Sequence, residues 1–257
     1  MAPRDKSGIR PGTGSRRPFL LVPGGGLALV AVIVLAGAGF GYRLGLWQFR
    51  TGFALLRYGA WCGLAAAAAS LGALIAAGRR RRFFDAILAL AGLAIGIAAF
   101  SVPLQWKLTA QRLPRIHDIT TDVGNPPQFV AILPLRKDAP NPAAYGGAEI
   151  AIKQRAAYPD LKTAVLDLTY PQAFDQALDA ARRMGWKIVA AVPAEGRIEA
   201  TDTTFWFGFT DDIVIRVTSA GNRSLADIRS VSRVGVSDAG TNAKRIHAYL
   251  RKLTGTG

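Results

Sequence analysis

Three stretches of this chain carry no charged residue, and each is long enough for a helix to cross a lipid bilayer. They run from Pro18 to Tyr42, from Tyr58 to Gly78 and from Ala86 to Trp106. Their borders are Arg17 and Arg43, Arg57 and Arg79, and Asp85 and Lys107. A helix needs about 20 apolar residues to cover a hydrocarbon core roughly 30 Å thick. A soluble helix this apolar all round would need a large core to hide in, which the rest of a 257-residue chain cannot supply. The expectation is a basic tail over 1–19 and three transmembrane helices at about 20–42, 54–78 and 84–106. A cleavable leader ending near Ala36-Gly-Ala38 is the alternative for the first stretch, and the two later stretches anchor the chain in either case.

The basic residues set a direction. The formal net charge is +15, which would ordinarily suggest nucleic acid as a partner. Its distribution argues otherwise. Residues 1–115 hold fifteen Lys/Arg against only Asp5 and Asp85, whereas residues 116–257 hold seventeen Lys/Arg against fifteen Asp/Glu. The excess flanks the apolar stretches, where basic residues fix topology and meet anionic headgroups. The lipid bilayer is the partner this implies, and no nucleic acid is expected. Arg4, Lys6, Arg10, Arg16 and Arg17 precede the first stretch, and Arg79–Arg82 separate the second from the third. Lys and Arg gather on the cytoplasmic side. The expectation is an inner-membrane, multi-pass protein with its N-terminus inside and its C-terminal domain outside the cytoplasm. Trp47, Trp61 and Trp106 then fall near the outer interface, which suits an amphipathic indole.

Small residues recur four apart at Gly37/Gly41, Gly59/Gly63 and Gly92/Gly96, a spacing that lets helix backbones approach closely in lipid. Asp85 lies one turn from Arg81 and Arg82, an ion pair at the rim of the third helix. Cys62 is the one cysteine, so no intrachain disulfide and no thiolate metal cluster can form.

Beyond residue 106 the pattern changes. Half of the fourteen prolines lie between 107 and 160, so long regular elements are not expected there. Ile116, Phe129, Val130, Ile132 and Leu133 are interspersed, and the stretch reads as an extended segment lying on the domain. From Leu161 the periodicities are legible. A strand is expected over Lys162–Leu168. A helix then opens at Pro171, carrying Phe174, Ala177, Leu178, Ala181 and Met184 at helical spacing. Four strands follow, at Lys187–Val192, Arg197–Thr203, Asp212–Thr218 and Leu225–Val234, with Ala220-Gly221-Asn222 as a hairpin turn. A last helix from Asn242 to Leu253 places Ile246, Tyr249, Leu250 and Leu253 on one stripe. The fold class expected is membrane-anchored α+β: three transmembrane helices, then an antiparallel sheet packed with two helices over residues 161–257.

The best-known catalytic signatures are absent from the sequence, with no phosphate-binding Gly-Lys-Ser/Thr loop, zinc pattern or Gly-x-Ser-x-Gly. No cofactor is expected. His117, Asp118 and Asp122 form a weak candidate metal set, against which stands simple turn-making by Asp and Thr side chains. The densest constellation spans residues 205–242. It contains Phe205-Trp-Phe-Gly-Phe209, Asp211, Asp212, Arg229, Ser230, Ser232, Arg233 and Asp238. Arg229 and Arg233 share one strand face with Asp227 and Val231, and bidentate arginine suits phosphate or carboxylate. They could converge with the N-terminus of the last helix to hold an anion. The competing reading is an internal ion-pair network, because Asp211, Asp212, Asp227 and Asp238 balance Arg216, Arg223, Arg229 and Arg233.

Four runs carry a resemblance to a family: Ile116–Asp122 (IHDITTD), Ala157–Asp160 (AYPD), Phe207–Asp212 (FGFTDD) and Arg229–Asp238 (RSVSRVGVSD). Together they resemble the Domain of Unknown Function 1499 family over about residues 116–253. Some members carry a cysteine-containing segment where this chain has His117–Asp122, and no thiol can act there in this chain. The resemblance implies membrane-anchored bacterial relatives and an outer domain in a periplasm, and it assigns no catalytic residue. The leading functional expectation is a membrane-tethered envelope protein whose outer domain binds a partner or an anionic ligand. An assembly chaperone for a membrane complex is not separable from it by sequence. The alternative is an envelope hydrolase using carboxylates of Asp211, Asp212 and Asp238 as general acid and base.

Overall fold

The computed structural model describes residues 21–255; the basic tail with Arg4 to Arg17 lies outside them. The chain begins with three long helices, α1 (Leu21–Arg43), α2 (Phe49–Arg79) and α3 (Phe83–Arg112). All three are long and apolar enough to cross a membrane. Two of the glycine pairs lie where these helices meet. A Cβ at Gly96 would stand 2.6 Å from the Ala67 amide nitrogen and 2.7 Å from the Gly63 carbonyl. One at Gly63 would stand 2.7 Å from the Ala99 Cβ, and one at Gly59 would strike Leu35. The backbones of α2 and α3 therefore touch at Gly63 and Gly96, and only glycine leaves room. Gly37 faces open space, and Gly41 accommodates the ring of Trp47. Arg82 pairs with Asp85 at 3.4 Å, at the start of α3.

The chain divides into two compact units. One holds most of the three helices, and the other comprises residues 36–53 and 103–257. The second unit is built on a six-stranded antiparallel sheet: β1 (Asp118–Thr120), β2 (Ala164–Leu166), β3 (Lys187–Val192), β4 (Arg197–Thr203), β5 (Thr210–Ala220) and β6 (Arg223–Ser232). The order is β1-β6-β5-β4-β3. β2 shares the outer edge of β6 with β1, pairing at Ala226–Ser224 where β1 pairs at Val231–Arg229. The β5–β6 hairpin turns at Gly221, whose φ is +64°, a conformation that favours glycine.

Period-two alternation gives the sheet two unlike faces. Ile198, Ala200, Ile213, Ile215 and Ile228 point to one side, where α5 (Tyr170–Arg183) and α6 (Thr241–Thr254) cover them. Phe174, Ala177 and Ala181 of α5 and Ile246, Tyr249 and Leu253 of α6 complete this core, with Trp186 stacked on Tyr249. Burying a side chain such as Phe174 contributes about 1.5–3 kcal/mol. α5 starts at a capping box, in which the Gln172 side chain accepts the Thr169 amide at 3.2 Å.

The Pro-rich segment covers the opposite face, and there the structure departs from the extended expectation. It contains a further helix, α4 (Gly147–Ala157), and a 3-10 turn at Leu133–Arg136. Only β1 of this segment joins the sheet. Between Pro126 and Pro142 the missing amides disfavour a strand, and side chains satisfy the backbone instead. The buried Glu199 carboxylate accepts the amides of Val130, Ala131 and Ile132 at 2.9–3.1 Å. Gln154 of α4 pairs with both main-chain groups of Thr120, as a neighbouring strand would. Phe129 and Ile132 then close a small second core with Val214 and Val231.

The candidate binding site

The same alternation that makes two cores divides the constellation at residues 205–242. Asp212, Arg229 and Arg233 lie on the face covered by the Pro-rich segment. Asp211, Ser230 and Ser232 lie on the face that meets α6. Asp238 stands at the head of α6. The sheet thus separates the seven residues into three places.

On the α6 face the residues form a lock between helix and sheet. Ser230 donates to the Asn242 amide oxygen at 2.6 Å, and Asn242 donates to Ser232 at 3.0 Å and to the His117 carbonyl at 3.1 Å. Arg245, next on the helix, reaches Asp211 at 2.6 Å and Asp202 at 2.8 Å. Asp238 accepts the amides of Gly240 and Asn242 at 2.9 and 2.7 Å. These are the otherwise orphaned donors of a helix start. Burial and, to a lesser extent, the neighbouring Asp211 push the Asp238 carboxyl up from its ordinary range, while those two amides oppose the rise.

On the other face, Arg229 is wholly buried between the rings of Phe129 and Tyr145. Its guanidinium grips Asp118 with two hydrogen bonds, at 2.9 and 2.7 Å, and donates to the carbonyls of Pro127 and Ala143. Arg216 bridges Asp122 and Asp227 at 2.9 and 2.8 Å. Thr121 and Thr163 also donate to Asp227, at 2.9 and 2.6 Å. Arg233 holds Asp212 through Nε and Nη2 at 2.9 and 2.8 Å, and Arg136 closes on the same carboxylate.

These geometries favour the internal ion-pair network for most of the cluster, with partners the sequence did not indicate. Arg229 pairs with Asp118 and not with a neighbour in the constellation, and Arg223 pairs with Asp167 at 2.7 Å. Arg136 and Arg245 lie outside the constellation that the sequence marks, one among prolines and the other on the last helix beyond residue 242. Arg245 did leave a signal. It stands one residue before Ile246 and four before Tyr249, on the flank of the buried stripe. Among the described residues no group of three His, Cys, Asp or Glu side chains is placed to hold a metal. Asp118 and Asp122 are each engaged by an arginine, and Asp122 also accepts the Gly124 and Asn125 amides as a turn-maker. His117 is lowered from its ordinary pKa, chiefly by burial, with the Asp118 and Asp238 charges opposing the shift. His247 lies 3.5 Å from Asp160.

The run Phe205–Phe209, which joins β4 to β5, has a separate role. Trp206 donates to the Ala36 carbonyl at 3.1 Å, and its ring fills the space left by the missing side chain of Gly39. Phe207 and Phe209 stack on each other and meet Tyr42 and Phe53. Arg43 donates to the Phe205 carbonyl. Trp106 closes on Trp206, with ring centroids 5.4 Å apart. The hairpin 36–53 is thereby the aromatic base of the second unit.

A search of curated proteins finds no match to this chain. A family model described as "Protein of unknown function (DUF1499)" matches residues 118–253, from the first strand of the sheet to the last turn of α6. That match covers more than half of the chain and takes in both faces of the ion-pair network, so the protein belongs to the DUF1499 family.

Proposed function

We propose that this is a membrane-tethered protein of the cell envelope, N-terminus inside, whose domain outside the cytoplasm works by binding an anionic ligand. The observation that supports this most is the balance of charge at Asp212. Two arginines share that one carboxylate, whereas Arg197, Arg216 and Arg245 each bridge two. The Asp212 group therefore carries a surplus positive charge, and the other groups do not. The run Arg79–Arg82 supports the orientation.

Asp211 and Asp212 are engaged by arginines and Asp238 by helix amides, roles that favour binding over acid–base chemistry. One observation favours the hydrolase reading: the raised carboxyl of Asp238, a feature common among catalytic acids. The two separate experimentally. The full chain in a neutral detergent is melted against a panel of soluble and amphiphilic phosphates, sulfates and carboxylates, with neutral counterparts as controls. Stabilisation by an anionic member is expected. Indifference to every anion, together with ester or phosphodiester hydrolysis that Asp238→Asn abolishes, would sink the binding reading.

A further inference from the structure

We infer that the Arg136–Asp212–Arg233 group is a site for the phosphate of an anionic lipid headgroup, with the outer edge of Arg233 as its contact. The inference rests on the anionic-ligand reading above and names its chemistry and place.

The stoichiometry is unusual within this protein. Asp212 is wholly buried and its two oxygens take up donors from both guanidiniums, which leaves one positive charge without a counter-charge. Arg136 is enclosed. Its side chain is 3 % exposed, and its Nη groups are capped by the carbonyls of Val231, Asn141 and Pro142. Its buried Nε has no hydrogen-bond partner among the described residues. Arg233 is the outlet of the group. It is 23 % exposed, it spends Nε and Nη2 on Asp212, and its Nη1 donates to nothing among the described residues. A guanidinium fixed along one edge by a buried carboxylate presents its other donors already oriented, the arrangement that suits a phosphate oxygen.

Position identifies the source of the phosphate. The Arg233 amide donates to the Thr210 carbonyl at 3.0 Å, one residue from Phe209. Arg233 therefore stands at the end of the sheet that carries the aromatic run. That run packs on residues 36–53, the last turns of α1, the first turn of α2 and the short connection between them, and on Trp106 of α3. Aromatic girdles of this kind mark the headgroup layer. Leu44 and Leu46 in the same connection, and Phe205 in the run, are 73 %, 68 % and 78 % exposed, as side chains meeting lipid would be. A cation at this end lies where lipid phosphates are concentrated.

The test uses the full chain in a maltoside detergent, with unfolding followed by tryptophan fluorescence. The probes are dioctanoyl phosphatidylglycerol, dioctanoyl glycerol and inorganic phosphate. The phosphatidylglycerol is expected to raise the wild-type Tm by at least about 2 °C, with no effect from the other two. Arg233→Gln is expected to fold, because Arg136 still neutralises Asp212, and to lose the response. Arg223→Gln, at the opposite end of β6, keeps it. Should Arg233→Gln not fold, Arg233→Lys carries the test, since a single ammonium drawn to Asp212 has no second edge to offer. An Arg233→Gln protein that responds like the wild type overturns this site and leaves the anionic-ligand reading standing. An equal response to inorganic phosphate overturns the assignment to lipid. A wild type indifferent to all three overturns the lipid-phosphate site, and the anionic-ligand reading then stands or falls on the wider panel of anions.

Discussion

Arg229 and Asp118 stand 111 residues apart in the chain and meet diagonally across the neighbouring strands β6 and β1, joined by two hydrogen bonds in the closed second face. Neither has solvent to fall back on, so each is the other's counter-charge. Arg229→Ala strands a buried carboxylate and is expected to cost roughly 3–5 kcal/mol. Arg229→Met together with Asp118→Leu is expected to recover much of that loss, because apolar replacement of a buried pair is often near neutral. Denaturant midpoints of the single and double variants check both statements.

The glycine contacts in the helical unit make a graded prediction. Gly96→Leu and Gly63→Leu must push α2 and α3 apart, since even a Cβ would lie within about 3 Å of backbone or Ala99. Both are expected to lower the Tm in detergent. Gly37→Leu, with open space at its Cβ, is expected to leave it unchanged.

His117 gives a pH dependence with a definite sign. Burial lowers its pKa below the ordinary 6.5, so the unfolded chain binds the proton more readily than the folded one. Its contribution to stability is complete above pH 6.5 and is lost as the pH falls through the folded value. Denaturant midpoints measured from pH 7.5 down to 5 are expected to decline, and His117→Gln is expected to decline less.

Topology is checked by reporters. A reporter active only outside the cytoplasm is expected to be active when fused after Leu253 and silent among Arg79–Arg82. Replacing those four arginines with Gln is expected to yield mixed orientations. The reverse pattern of reporter activity would overturn the proposed direction.

A fragment starting at Leu113 lacks the hairpin 36–53 and Trp106, and so uncovers Trp206, Phe207 and Phe209. It is expected to associate or aggregate on purification, as measured by size-exclusion chromatography. Trp206→Ser with Phe207→Ser in that fragment is expected to restore a monomer.

Local pattern made much of this fold legible. Pro171, the apolar spacing from Phe174 to Met184, and the alternation of Ile213, Ile215 and Val217 sufficed for α5 and β5, since each depends on neighbours within a few residues. Three uninterrupted apolar stretches sufficed for the long helices. The Pro-rich segment was opaque because its order comes from distant side chains. Glu199 organises amides 67 to 69 residues away, and no local signal marks such a partner. The candidate site was half legible for the same reason. Residues 205–242 stand out as a dense group, but Asp118, Arg136 and Arg245, which pair with its charges, come from three other elements.

The hairpin that forms the aromatic base is made early, and the run that covers it is made late. Trp206 bonds to a carbonyl 170 residues earlier in the chain. At roughly 5–20 residues per second, synthesis leaves the rings of Tyr42 and Phe53 without their partners for on the order of ten seconds or more. Both halves must also reach the same side of the bilayer. A chain whose third helix fails to cross puts them on opposite sides, and each half keeps a bare aromatic surface. The contact would therefore form only in a chain whose three helices are all threaded.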